Sequence, residues 1–306
     1  MKVCIGITTF NRAKVLRKAI ESALSQDYKN KEVFVVDDAS TDETPTLRQE
    51  FPQVRWHRFD TSTGYRTARN LMMTETDADL FCSLDDDSWF TTPDGLSQGV
   101  ALFAENEKLG AVGFEILDEA QPSGHAEKCV HPSNMFIGCG HMLRLTEARK
   151  AGLYQKMPGE YGGEEKDLSV RLLDAGCDVV KFQGVHVWHD KTFQTRNIGQ
   201  QHSSGVANDL AFAFFRAPLW MLVWLIPFKI LNHLRFAAKF AFRNVGTMSE
   251  FDQEIRKRHG RSVFIGPAVY GIGAFLLNSV PYIGSRNPVG TRAFHEFIRR
   301  GHTSQV

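Results

Sequence analysis

The chain has 306 residues and balances 36 Lys and Arg against 35 Asp and Glu, a formal charge of +1. That length allows a sizeable core, in one large domain or two modest ones. The near-balance of charge argues against a nucleic-acid-binding protein.

The first strand is expected at Val3, Ile5 and Ile7, which alternate, and it ends at Thr8 and Thr9. This opening is too short in apolar residues for a signal peptide. Val15/Leu16, Ala19/Ile20 and Ala23/Leu24 then recur every four residues, as on a helix. "EVFVVDD" is a continuous apolar run, the mark of a parallel strand buried on both faces. Ser40 and Glu43 have the spacing of a capping box that opens a second helix. "VRWHRF" reads as a third strand, residues 63–75 as a helix and "DLFCSLDDD" as a fourth strand. Thr92-Pro93 places an N-cap and a first-turn proline ahead of Leu96, Val100 and Phe103. Farther on, "AVGFEIL", "NMFIGCGHMLRL" and "DVVKFQGVHVWHD" read as strands, and "GGEEKDLSVRLLDAG" as a helix stopped by Gly176.

Strands alternating with helices predict an α/β fold with a mainly parallel sheet. Ligands of such sheets bind beyond the carboxyl ends of the strands. Thr8, Asp37, Asp38 and the run Asp85-Asp86-Asp87 all fall at such ends. Three adjacent carboxylates repel one another and require water, basic groups or a cation. Asp85 and Asp87, two apart on an extended segment, are expected to point the same way and to hold Mg²⁺ or Mn²⁺ together with substrate phosphates. Asp37 and Asp38 are placed to accept hydrogen bonds from a nucleobase or ribose. Glu164 and Glu165 open a helix after two glycines, where a carboxylate serves either the helix dipole or as a general base. Asp167 and Arg171, four apart, are expected to pair. His186 and His189 are further metal-ligand candidates. Cys129-x-His131 and Cys139-x-His141 match no common zinc spacing. The five scattered cysteines suit a reduced cytoplasmic protein.

Taken in order, "GITTFNRAKVLRKAIESALSQ", "VFVVDDASTDET", "GYRTARN", "LDDDSWFTTPD", "GGEEKDLSVRLLDAG" and "HVWH" resemble the family 2 glycosyltransferases. The resemblance covers roughly residues 1–195. It implies a GT-A fold, a Rossmann-like sheet flanked by helices, and inverting transfer of a sugar from a nucleotide donor (UDP-sugar favoured) to a glycan or lipid-linked acceptor. It implies that Thr8 and Asp38 line the nucleoside site with Arg69 nearby. It implies that Asp87, with Asp85, forms the DxD element holding Mn²⁺ or Mg²⁺, that Glu165 is the base and that His189 lies near the diphosphate and metal. The family often has Glu-Asp where this chain has Glu164-Glu165, so Glu164 is the alternative base.

The competing readings are a nucleotidyltransferase that makes nucleotide sugars, a haloacid-type phosphatase and a nucleotide-sugar-binding protein without turnover. "TTFNRAK" lacks the glycine-rich loop of the first, and Asp85-x-Asp87 comes on the fourth strand, not the first as in the second.

Residues 1–200 are expected to form the catalytic domain and 201–306 a helical region. The uncharged run Ala217 to Phe228 is shorter than the about 20 residues of a membrane span. From Lys229 to Arg243, five basic positions, Lys229, His233, Arg235, Lys239 and Arg243, fall within an arc of roughly 160° at about 100° per residue. This predicts a basic amphipathic helix on an anionic membrane. A second uncharged stretch runs from Ser262 to Ser285. The expected location is cytoplasmic, peripheral on the inner face of the cell membrane.

Overall fold

The computed structural model describes residues 1–125, 127–190 and 197–303. These residues divide into two compact units. One comprises Met1–Gln155, Glu164–Lys191 and His295–Val306, the other Lys156–Gly163 and Thr192–Phe294.

The first unit begins with β1 (Val3–Thr9), α1 (Ala13–Leu24), β2 (Lys31–Asp37), the single turn α2 (Leu47–Glu50), β3 (Arg55–Arg58), α3 (Tyr65–Glu75) and β4 (Leu80–Asp85). It continues with β5 (Ser88–Phe90), α4 (Gly95–Glu105), β6 (Leu109–Leu117), β7 (Val130–Pro132), β8 (His141–Arg144), α5 (Leu145–Lys150), α6 (Glu164–Asp174) and β9 (Asp178–His189). The strands make one sheet in the order β3-β2-β1-β4-β8-β6-β9-β5, with β7 also on β9. β1, β2, β3, β4, β6 and β9 run one way, and β5, β7 and β8 run against them. The sheet is mixed and mainly parallel, as expected.

Successive strand residues point to opposite faces, so the apolar runs feed two cores. Val3, Ile5, Ile7, Val33, Val35, Cys82 and Leu84 pack under α1 and α4. Cys4, Phe34, Val36 and Phe81 pack under α3, α5 and α6. Gly6 is required where it stands, because a Cβ there would lie 2.4 Å from the Phe81 ring.

Several local expectations change. Ser40 does not cap a helix, because its hydroxyl accepts from Asn11 N at 2.8 Å. Asp42 instead caps α1, accepting from Ala13 N at 3.2 Å. Pro93 precedes α4, whose N-cap is Asp94, and the Thr92 hydroxyl donates to Asp94 at 2.7 Å. "NMFIGCGHMLRL" becomes a strand only from His141, and its earlier part is a turn. β5 and β7, three residues each, were too short to show as patterns. Asp167 and Arg171 do pair, at 2.7 Å, in a buried site.

The second unit contains α7 (Ile198–Arg216), α8 (Leu222–Phe242), α9 (Glu250–His259) and α10 (Ile265–Tyr282). The last helix, α11 (Thr291–Thr303), ends the described chain. Met157, Val206, Leu210, Ala211, Phe215 and Phe275 form one of the unit's cores. Buried Asn208 clasps the 156–163 segment, accepting from Gly159 N at 2.6 Å and donating to Tyr161 O at 3.1 Å. Leu219–Phe242 is long and apolar enough to cross a membrane by length and composition, although Pro227 lies inside it.

The basic face expected on α8 is divided. Lys229 and His233 meet Asp209 of α7, at 2.7 and 3.1 Å, and Arg243 faces Asp252 at 3.7 Å. Arg235 and Lys239 remain on the outward side beside Phe242. The rest of that side is apolar: Val223 is 82% exposed, and Trp224, Phe228, Leu231 and Leu234 are exposed with it. On α10, Val269, Tyr270 and Leu277 are exposed in the same way.

Candidate active site at the sheet edge

Register places the ends of three parallel strands level, with Thr9 beside Asp37 and Thr8 beside Asp85. The chain must leave the sheet there, so the polar residues closing β1, β2 and β4 share one rim.

Asp37 is buried. Its Oδ1 accepts from Ser40 N at 2.9 Å, and its Oδ2 lies 3.4 Å from Arg58 Nε. Asp38 receives Ser62 Oγ at 2.6 Å, Thr63 N at 2.7 Å, Thr63 Oγ1 at 3.2 Å and Gly64 N at 3.0 Å. A carboxylate offers about four lone-pair sites, so Asp38 is fully engaged in shaping the turn that leads into α3. Gly64 makes that turn with φ +87, a region few other residues adopt.

β4 ends at Asp85 and β5 begins at Ser88, so Asp86 and Asp87 lie in a tight turn. Asp85 and Asp87 therefore do not share one extended direction, contrary to the expectation from their spacing. Each carboxylate has a basic partner, Asp86 and Asp87 sharing Arg12. Asp85 Oδ1 accepts from Arg69 Nη2 at 2.6 Å. Arg12 Nη1 is 3.3 Å from Asp86 Oδ1 and 2.5 Å from Asp87 Oδ2. Asp87 Oδ1 is 3.3 Å from His189 Nε2. Burial pushes the Asp86 carboxyl up to about 7, against the pull of Arg12. Burial also opposes charge on Asp87, but His189 and Arg12 outweigh it and hold the carboxyl below its usual range.

Arg69 joins this turn to the start of α6. Its Nη1 lies 3.7 Å from Glu165 Oε1 and 3.9 Å from Glu164 Oε1. Arg66 Nη1 lies 4.0 Å from Glu164 Oε2. Burial works against charge on Arg69, but the surrounding carboxylates, Asp85 first, hold it ionised. Glu165 is pushed up to about 8, by burial first and then by the charge of Glu164, with Arg69 pulling the other way. Arg69 thus lies with the carboxylates of β4 and α6, not in the turn that Asp38 holds.

A glycine turn closes the wall of the site. A Cβ on Gly138 would lie 2.5 Å from Glu165 Oε1 and 2.8 Å from Arg69 Nη1. His141 anchors this turn, with Nδ1 2.9 Å from Ile137 O and Nε2 2.8 Å from the Tyr154 hydroxyl. Burial, with the nearby charge of Arg69, lowers His141 to about 3. It is therefore neutral: Nδ1–H donates to the carbonyl, and Nε2 accepts from the tyrosine.

The donors present fit a divalent ion. Ligand atoms of Asp85, Cys139 and His189 lie within 4.8 Å of one another, the one such set among the described residues. His189 is 8% exposed; its Nε2 faces Asp87 at 3.3 Å, and its Nδ1 has no hydrogen-bond partner among the described residues. A buried ring nitrogen without a partner is a suitable donor for an ion. Asp87 meets His189 but is not in the mutual set. His186 lies elsewhere, 3.1 Å from buried Glu115.

Thr8, Asp37, Asp38, Asp85, Asp86, Asp87, Glu164, Glu165 and His189 thus occupy the strand-end rim and the segments that close it. The contributions of Arg12 and Gly138 were missed in the sequence, and Cys139 was weighed there only with His141 and set aside on spacing. The "GCG" triplet was a usable signal, since two glycines around one cysteine mark a tight chain passage.

Residues 4–128 match the glycosyl transferase family 2 model. An uncharacterized glycosyltransferase of Rickettsia prowazekii is 28% identical over 137 residues, covering 44% of this chain and 42% of the relative. The beta-monoglucosyldiacylglycerol synthase of a Synechocystis strain is 31% identical over 119 residues, 36% of this chain and 24% of the relative. The chain thus matches less than half the length of these curated relatives. A mannosyltransferase from Pyrobaculum calidifontis, solved with GDP-Man and Mn²⁺, superposes with a TM-score of 0.56 at 15% identity, over 91% of this chain and 87% of that one. At that identity the likeness shows the fold alone, and the fold is of the GT-A type. Residues 4–128 thus match family 2 of the glycosyltransferases, and the architecture is of the GT-A type.

Proposed function

We propose that the protein transfers a sugar from a nucleoside-diphosphate donor, UDP-sugar favoured, to an acceptor hydroxyl, with inversion at the anomeric carbon. The observation that supports this most is the meeting of Asp85, Glu164 and Glu165 around Arg69, with Asp87 and His189 adjoining through the turn after β4.

In this reading Thr8, Asp37 and the turn held by Asp38 wall the nucleoside. Asp85 and His189 hold Mn²⁺ or Mg²⁺, with Asp87 beside them. When bound, that ion neutralises charge gathering on the leaving diphosphate. Glu165 takes the proton of the acceptor hydroxyl. A carboxyl near 8 is a stronger base than an ordinary glutamate and still ionises near neutral pH. Arg69 favours its charged form and fixes its position. Glu164, more deeply buried, raises the basicity of Glu165 by repulsion.

The acceptor in this proposal is lipid-linked or a glycan assembled at a membrane. The outward face of α8 would rest in the inner, anionic leaflet of the cell membrane, with Arg235 and Lys239 at headgroup level. Tethering raises the local concentration of lipid-borne acceptor.

Thermal shift against a panel of nucleotides and nucleotide sugars, with and without Mn²⁺, tests the donor assignment. One nucleotide series should stabilise the protein strongly, by about 2.7 kcal/mol at a hundredfold excess over Kd. No shift with any nucleotide sugar contradicts the proposal.

A further inference from the structure

We propose that Cys139 is a ligand of the metal at this site, which makes the ligand set carboxylate, imidazole and thiolate. This rests on the metal-dependent reading above and adds to it a donor that the DxD pattern does not contain.

Three observations place the sulfur. Its Sγ belongs to the mutual set with Asp85 and His189, all within 4.8 Å, and the residue is buried. The chain is held tightly on both sides of it: a Cβ on Gly138 would strike Glu165 Oε1 of the site at 2.5 Å, and one on Gly140 would strike Ile116 Cδ1 of the core at 2.5 Å. Ser88 ties all three ligand-bearing segments together. Its hydroxyl accepts from Asp85 N at 2.8 Å and donates to Cys139 O at 3.0 Å. Across the β5–β9 ladder Ser88 is the residue opposite His189. The Nδ1 of buried His189, which has no hydrogen-bond partner among the described residues, is a second observation that favours a ligand here.

The consequence is metal selectivity. Mg²⁺ prefers an octahedron of oxygens and gains little from sulfur. Thiolate with imidazole favours softer, later ions such as Co²⁺ and Zn²⁺. The thiol proton passes to water as the ion enters. Loss of Cys139 should therefore weaken a thiophilic ion and leave Mg²⁺ nearly untouched.

The test is X-ray absorption on the full chain loaded with one equivalent of Zn²⁺ in the presence of UDP, with metal affinity measured by calorimetry. Wild type should show a sulfur shell at about 2.3 Å. Cys129→Ser, a control for the part-exposed cysteine, should keep that shell. Cys139→Ser and Cys139→Ala should lose it while still binding the ion, with Zn²⁺ affinity down about tenfold or more and Mg²⁺ affinity changed less than about twofold. One bound ion with only nitrogen and oxygen neighbours in wild type overturns the role of Cys139 and leaves metal dependence standing. Persistence of the sulfur shell in Cys139→Ser also overturns it. Failure of wild type to bind any divalent ion overturns both readings.

Discussion

At the rim of the sheet, Asp85, Asp86, Asp87, Glu164 and Glu165 crowd around Arg12 and Arg69, and the acids outnumber the bases. Among the helices of the second unit, Asp209 faces both Lys229 and His233, and the charge there is matched. Apolar surface is distributed the other way. The strands hide theirs on two faces, whereas α8 and α10 leave large side chains in the open, Leu277 at 83% and Phe242 at 86% exposure. An excess of buried acid is costly unless a cation or a proton offsets it. Exposed apolar surface is costly unless another phase or partner covers it. The two regions thus differ in kind: one gathers buried acid among fewer bases, and the other carries open apolar surface.

The sharpest way to break the contrast is Glu165→Gln. This change keeps the side chain's size and removes its charge. Turnover should fall by about a thousandfold or more, with donor affinity retained, in steady-state transfer assays with parallel binding measurements. Retained turnover would shift the base to Glu164, tested by the matching Glu164→Gln.

The pH profile comes next. With the Glu165 carboxyl near 8, kcat/KM should fall about tenfold for each pH unit below that value. At pH 6 about one molecule in a hundred carries the required charge. Stability should move in the opposite sense. The folded-state value lies above the unfolded one, so the stabilising contribution of this group is complete below about pH 4 and is lost as pH rises through about 8. A flat profile between pH 6 and 8 would show that Glu165 is not the group that must ionise.

The apolar face is tested by Val223→Asp combined with Phe228→Asp. Both side chains point outward, so the fold should survive. Flotation with anionic vesicles should weaken at least about tenfold, because each lost contact removes roughly 1.5 kcal/mol of burial. Unchanged flotation would remove the bilayer as the covering phase. The smallest effect is expected at the matched charge: Asp209→Asn should cost about 1 kcal/mol or less in denaturant unfolding, given that the partners are partly open to water. It should leave vesicle binding intact.

Much of the rim was legible because strand period and acid runs are local signals. Val3, Ile5 and Ile7 fix β1, and the aspartates fall where β2 and β4 must end. The misreadings share a physical cause: long-range partners decided the local structure. Ser40 and Glu43 spell a capping box, but Asn11, distant in sequence, claims the Ser40 hydroxyl. Lys229 and His233 spell part of a basic stripe for an anionic membrane surface, but Asp209 draws them inward. Cys139 lay in a segment with the composition of a strand. Its place beside His189 depends on a turn and a ladder that no periodicity records.

The central claim is that the surplus acid at the rim is matched by a divalent cation on which donor binding depends. Calorimetric titration of the full chain with UDP, with Mn²⁺ and then with chelator, tests it most directly. Affinity should fall by about a hundredfold or more on chelation, and Asp87→Ala should bind weakly in both conditions. Equal affinity with and without the ion, in a wild-type protein that remains folded, would contradict the account.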